Sequence, residues 1–195
     1  MEKIVNDFTI NIATANGTGS QSANLILLNS LFRMGTHASG KNLFPSNIAG
    51  LPTWYIIRVS DNGYQAPGNR THIQVVMNID TWSDDIEGLE PGTVVISNAD
   101  VKAPITRDDI IHYSVPMISI ARKINPKLSK MVANMVYVGI IAEMVEIPQD
   151  ILEEAISKQF NGKEKAIEIN AEASIAGREY FKNELNKEDN FYVEK

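Results

Sequence analysis

The 195-residue sequence predicts an α/β fold, specifically a three-layer Rossmann-like sandwich with a mixed sheet and a carboxyl-terminal helical segment. Three observations predict it. β-branched runs alternate with helical patterns, a glycine-rich loop joins the first strand to the first helix, and from Lys127 onward the pattern is helical almost to the end. With 44% hydrophobic residues the chain can fill one core, and residues 1–195 read as a single domain without repeats, low-complexity tracts or an internal boundary.

The elements follow in order. Phe8, Ile10 and Ile12 alternate with polar residues over Phe8–Ala13, the mark of a strand. The loop Asn16-Gly17-Thr18-Gly19-Ser20 leads into a helix with Ala23, Leu27 and Leu31 on one stripe, Ser20 as its N-cap and Gly35 as its stop. Thr36 to Pro52 is rich in Gly, Ser, Asn and Pro and reads as a long ordered loop. Trp54–Val59 reads as a strand, with Asp61-Asn62-Gly63 as a hairpin turn and Tyr64–Ala66 as a short return. Ile73–Ile79 and Val94–Ser97 are further strands, and His112–Ile120 is a weaker one. Three helices close the chain: a buried one over Lys127–Val145, a short one over Pro148–Phe160, and a long one over Lys163–Leu185.

Charge and composition exclude several functions. The formal net charge of -6, from 18 Lys and Arg against 24 Asp and Glu, gives nucleic acid no general attraction to this surface. Cysteine is absent, so the chain has no thiolate nucleophile, no disulfide and no cysteine-held iron–sulfur cluster. Met1 to Asp7 lacks an apolar signal core, and Met131 to Val145 is interrupted by Asn134, Gly139 and Glu143. The expectation is a cytoplasmic protein with no membrane partner. His37, His72 and His112 lack metal-ligand spacing, and Asp84-Asp85 and Asp108-Asp109 read as helix-start acids.

The chemistry-bearing motif is Gly17-Thr18-Gly19-Ser20-Gln21-Ser22. At a strand-to-helix junction, backbone N–H groups and the helix dipole together favour an anion such as phosphate. Ser22 stands where a dinucleotide fingerprint needs its third glycine, and the Gly-Lys-Ser/Thr ending of a phosphate-binding Walker loop is missing. The alternative is a tight turn and nothing more. Lys41 is a flexible point charge able to reach a phosphate, or else a solvated loop lysine. Phe44, Trp54 and Tyr55 suit either an acyl or adenine pocket or the core.

Three blocks carry a family resemblance: Ala15 to Asn24; Ser39 to Tyr55, the most specific; and Asn134 to Gly139 together with Phe160-Asn161-Gly162-Lys163, Asn170, Ala173 and Gly177. Together they resemble the gamma domain of 2-oxoacid:ferredoxin oxidoreductases, above all the version fused ahead of the alpha chain in 2-oxoglutarate:ferredoxin oxidoreductases. The resemblance runs from about Asp7 to about Tyr180. Gly19-Ser20-Gln21-Ser22 departs from the wider family's Gly-Gly-Gln-Gly, which shifts the reading away from the pyruvate enzymes.

The resemblance implies a non-catalytic gamma component that is inactive alone. It would work in oxidative decarboxylation of a 2-oxoacid to an acyl-CoA, with electrons passing to ferredoxin. Coenzyme A is the implied co-substrate, at Gly17, Thr18, Gly19, Ser20, Gln21, Ser22, Lys41 and Asn42. Thiamine diphosphate and iron–sulfur clusters would sit on partner alpha and beta subunits. The competing reading is an assembly or binding module of the same fold without a ligand site. Ala166, Ile169, Ala173, Ala176 and Tyr180 form a stripe on the terminal helix that suits either a partner or homodimer seam, or packing within the chain.

Overall fold

The computed structural model describes residues 2–44, 52–66, 68–102 and 104–195. Its main sheet has six strands: β2 (Asp7–Ala15), β3 (Ala38–Leu43), β4 (Pro52–Ser60), β5 (Ile73–Val76), β6 (Val94–Asn98) and β7 (Ile111–Val115), in the order β3-β4-β2-β5-β6-β7. Strands β2, β5, β6 and β7 run parallel to one another, whereas β4 is antiparallel to both β2 and β3, so the sheet is mixed as expected. A separate two-stranded ribbon, not anticipated, pairs β1 (Ile4–Val5) with β8 (Phe191–Tyr192).

One face of the sheet carries the core. Phe8, Ile10 and Ile12 of β2 share it with Tyr55, Ile57 and Val59 of β4 and with Ile73, Val75, Val94 and Ile96. Each fully buried aliphatic side chain contributes about 1.5–3 kcal/mol. Against this face lie α1 (Ser20–Arg33), α3 (Met117–Ile124) and α4 (Ser129–Met144), with α5 (Gln149–Gln159) packed on α1 and α6 (Glu164–Glu184) packed outside α4 and α3. The opposite face is covered over β5 and β6 by the short α2 (Trp82–Glu87), through Ile86, Val76 and Val95.

Helix α4 is the hub, buried from Val132 through Ala142. Its apolar surface runs all round because α1, α3 and α6 enclose it and its buried side chains share one core with those of the sheet. At the α4–α6 crossing a Cβ on Gly139 would lie 2.0 Å from the Ser174 carbonyl oxygen, and one on Gly177 would lie 2.2 Å from that of Val136. Ala173 is fully buried there. Ala166 and Ile169 line a pocket beside α1 and α4, while Ala176 and Tyr180 line another together with Ile120 and Ile124 of α3. Of the stripe, Ala173 is thus taken by the chain's own α4, while Ala166, Ile169, Ala176 and Tyr180 are half-buried and keep open surface.

Several local expectations are corrected. Part of the Thr36–Pro52 loop is strand β3; its sequence Ala-Ser-Gly-Lys-Asn-Leu has no β-branched residue, so propensity gives no signal, and the strand exists because β4 offers an edge. Gly40 is required there because a Cβ would lie 2.2 Å from the Tyr55 hydroxyl. Tyr64–Ala66 is not a strand: both edges of β4 are already taken by β2 and β3. Strand β5 stops at Val76, and β7 stops before Pro116, which opens α3. Asp84 and Asp85 do fall in the first turn of α2, but Asp109 sits outside any helix in a two-pronged ion pair with Arg107.

Candidate functional site

The glycine loop lies at the carboxyl end of β2, where β5 departs on one side and the antiparallel β4 on the other. That is the crevice position at which open α/β sheets bind ligands. Gly17 and Gly19 adopt φ of +83° and +81°, a region costly for any residue with a Cβ. The N-cap of α1 is Gly19 rather than Ser20, and no side chain caps the helix, so its first N–H groups are not satisfied by a cap.

The polar residues of the loop divide into two groups. Ser20 is buried and accepts a hydrogen bond from the Thr14 hydroxyl at 2.9 Å, so it braces the loop from below. The Thr18 hydroxyl donates to the Ala15 carbonyl at 2.7 Å, and Asn134 of α4 donates to the Thr18 carbonyl at 2.8 Å. Behind them Tyr137 donates to Asn24 at 2.7 Å, locking α1 to α4, and burial pushes its hydroxyl far above the usual phenol range. Gly17 and Gln21 are exposed, while Thr18, Gly19 and Ser22 are half-buried. The loop is thus held rigidly by its inner groups and presents its outer ones.

Beside it opens a cleft of about 380 Å³ lined by Gly17, Thr18, Lys127, Ser129, Lys130 and Met131. Lys127 and Lys130 flank the start of α4, where a cation opposes the helix dipole, and the first turn carries no acid to offset it. Stability alone disfavours that placement; an anion between the lysines and the two helix starts would reverse the sign. Sequence reasoning missed both lysines, because they are more than 100 residues from the loop in the chain; cations at the beginning of a strongly apolar helix were the available signal. On the other side of Met131 an apolar pocket of about 150 Å³ is lined by Gly19, Ser22, Met135, Phe160, Ile169 and others.

Of the eight anticipated site residues, Gly17 and Thr18 line this cleft and Gly19 and Ser22 line the apolar pocket beside it; Gln21 is exposed and lines neither, and Ser20 is buried beneath the loop. Lys41 and Asn42 are not brought to this region. Both lie on edge strand β3, two strands from β2; Lys41 is level with Asn11 and Asn42 with Ile12, short of the carboxyl end at Ala15. Pro45 to Leu51, the centre of the most specific resemblance block, lies outside the described residues. Arg58, the other cation near in sequence, is committed to Asp7 and to backbone carbonyls at the opposite end of β2. Tyr55 is core, Trp54 donates to Asp85 at 2.7 Å, and Phe44 is exposed. Among the described residues no group of acidic or imidazole side chains is arranged to hold a metal, and no helix is long and apolar enough to cross a membrane.

Fold and site together define an α/β domain with a glycine loop at a strand–helix junction on the carboxyl edge of its sheet. The chain belongs to the pyruvate ferredoxin/flavodoxin oxidoreductase family, whose model matches residues 9–180. No curated protein matches it by sequence. Among solved structures it is similar to a 2-oxoglutarate:ferredoxin oxidoreductase from Magnetococcus marinus with 2-oxoglutarate, coenzyme A and succinyl-CoA bound, at 25% identity and a TM-score of 0.87 over 99% of this chain. It spans 33% of that protein's chain. It shares its fold with a keto/oxoacid ferredoxin oxidoreductase gamma subunit from Geobacter sulfurreducens PCA, at 19% identity and TM-score 0.70, covering 88% of this chain and 96% of that one. A pyruvate oxidoreductase subunit from Thermotoga maritima is similar at 19% identity and TM-score 0.68, covering 89% and 96%.

Proposed function

We propose that the chain is the gamma component of a 2-oxoacid:ferredoxin oxidoreductase of the 2-oxoglutarate type, contributing coenzyme A binding and closure of an active site completed by alpha and beta subunits. The observation that carries this reading is the cleft of Gly17, Thr18, Lys127 and Lys130, where the glycine loop, the start of α4 and two cations border one space. Family membership and the coenzyme A bound in the Magnetococcus marinus neighbour support it.

In this reading Gly17 and Thr18 present backbone N–H groups to the ligand's phosphates, and Lys127 and Lys130 neutralise them. The apolar pocket behind Met131 receives an uncharged arm of the ligand. Thiamine diphosphate, held by partner chains, supplies the carbanion chemistry of decarboxylation. The electrons leave through partner-held clusters, since a chain without cysteine offers no thiolate for one.

The test is coenzyme A-dependent turnover of the assembled complex. Lys127→Gln with Lys130→Gln is expected to raise the KM for coenzyme A by about tenfold or more with the KM for the 2-oxoacid unchanged, as loss of two charge-assisted contacts implies. Unchanged coenzyme A kinetics would remove the cleft from the reading.

A further inference from the structure

We infer that Met131 is a reversible oxidation site, at which hydrogen peroxide turns the thioether into a sulfoxide and thereby weakens the hold of the cleft on its ligand. The inference rests on the coenzyme A reading above for the identity of that ligand, but not for the reactivity of the sulfur.

The sequence has seven methionines and no cysteine, so every oxidisable sulfur in the chain is a thioether. The fold buries Met34, Met117, Met135 and Met144 and half-buries Met77. Met131 is 49% exposed, the one exposed methionine among the described residues. Oxidation follows exposure, which sets Met131 ahead of the rest. Met135, one turn further along α4 and 1% exposed, is the internal comparison on the same helix.

Position gives the reaction a consequence. Leu128 and Met131 line both the cleft that holds Lys127 and Lys130 and the apolar pocket beside it, so together they form the ridge between the two. The thioether lies over the glycine loop: a Cβ on Gly19 would stand 2.7 Å from Met131 Cγ and 3.5 Å from Sδ. In its reduced form the side chain is a flexible apolar wall that completes the pocket with Met135, Phe160 and Ile169.

In the oxidation a sulfur lone pair attacks one peroxide oxygen, the S–O bond forms as the O–O bond breaks, and the departing hydroxide takes the proton of the transferred oxygen and leaves as water. Sulfur loses two electrons and the peroxide gains them. The product is a polar side chain with an acceptor oxygen. On the pocket side its S–O dipole replaces an apolar wall and disfavours an uncharged arm of the ligand. On the cleft side its oxygen offers Lys127 and Lys130 an acceptor within the chain, in competition with the ligand's phosphates. A methionine sulfoxide reductase reverses the step, its thiols going to a disulfide as the oxygen leaves in water.

In the test, the full chain is treated with hydrogen peroxide, the peroxide is removed with catalase, and the oxidised positions are read by peptide mass spectrometry. The chain is then combined with untreated alpha and beta partners. Met131 sulfoxide is expected to accumulate ahead of Met77 and Met135. The oxidised chain should give a KM for coenzyme A about fivefold or more above that of the untreated chain, as expected for a polar group set against an apolar wall. Methionine sulfoxide reductase should return the KM to its starting value. Met131→Leu keeps an apolar ridge without an oxidisable sulfur, and its KM, whatever the starting value, should be the same before and after peroxide.

Oxidation of Met77 or Met135 ahead of Met131, an unchanged KM once Met131 is oxidised, or an equal loss in the Met131→Leu chain overturns the inference. If Lys127→Gln with Lys130→Gln raises the KM for coenzyme A while the sulfoxide does not, the Met131 site falls and the coenzyme A reading stands. If the sulfoxide raises the KM while the two lysine substitutions leave it alone, the Met131 site stands and the lysine cleft falls.

Discussion

Two pairs of glycines do opposite work in this chain. Gly139 and Gly177 sit at the α4–α6 crossing with no unusual backbone angle, and each is required because a carbonyl oxygen of the other helix occupies the space of a side chain. Gly17 has open space around it and is required for its φ of +83°. Gly19 combines both features mildly: its φ is +81°, and a Cβ there would lie 2.7 Å from the flexible Met131 side chain. One pair closes the core by contact, and the other opens the site by conformation. Stability and ligand response should therefore separate when the two are altered.

The largest effect is expected at the crossing. Gly139→Ala or Gly177→Ala drives a methyl into backbone that cannot move without separating two helices, an overpacking cost of about 3 kcal/mol or more. At about 2–4 °C per kcal/mol for a chain of this size, the melting temperature should fall by about 6–12 °C, read by calorimetry. A shift under about 2 °C would mean that the helices are not in backbone contact.

Gly17→Ala should show the reverse balance. The left-handed conformation costs a side chain about 1–2 kcal/mol, with no clash to add to it, so the melting temperature should drop by only a few degrees. The loop's ligand response should fall by a larger factor, because the strain is relieved by turning the backbone N–H groups away. Gly17→Asn, which tolerates this region, should recover most of both. Equal losses in stability and binding would break the comparison.

The smallest effect concerns pH. His72 accepts a hydrogen bond from the Thr9 N–H through Nδ1 at 3.0 Å, which favours the neutral ring. Burial pushes its pKa below the usual histidine value, with Arg70 and Arg58 adding to the shift. A depressed histidine pKa means that the unfolded chain binds the proton more readily. The stabilisation is therefore complete above the unfolded pKa, near 6.5, and is lost as pH falls through that value toward the lower folded one. His72→Gln should flatten the acid side of the stability profile in that window; an unaltered profile would remove His72 from it. His112, also lowered by burial, should keep a residual slope.

The same division explains what was legible in the sequence. Strand β2, the loop and α1 were readable because their signals are local: alternation over Phe8 to Ile12, then paired glycines, then a helical stripe. Helix α4 announced its burial through apolar residues on every side. Strand β3 was not readable, since Ala38–Leu43 is a strand only by virtue of β4, and the β1–β8 ribbon depends on two segments at opposite ends of the chain. The site was half legible. The loop is contiguous, but Lys127 and Lys130 reach it only through the fold, and the small residues of α6 gave a stripe without saying that α4 would press on Ala173 and Gly177.

The central claim, that this chain works as the gamma component of a larger oxidoreductase, is tested most directly by co-purification from its own cells through a tag on the full chain. The account predicts that larger chains come with it in fixed stoichiometry, carrying thiamine diphosphate and iron–sulfur absorbance, and that the assembly reduces ferredoxin when given a 2-oxoacid and coenzyme A. Recovery of the chain by itself, or with partners that hold neither thiamine diphosphate nor iron–sulfur clusters, would contradict it.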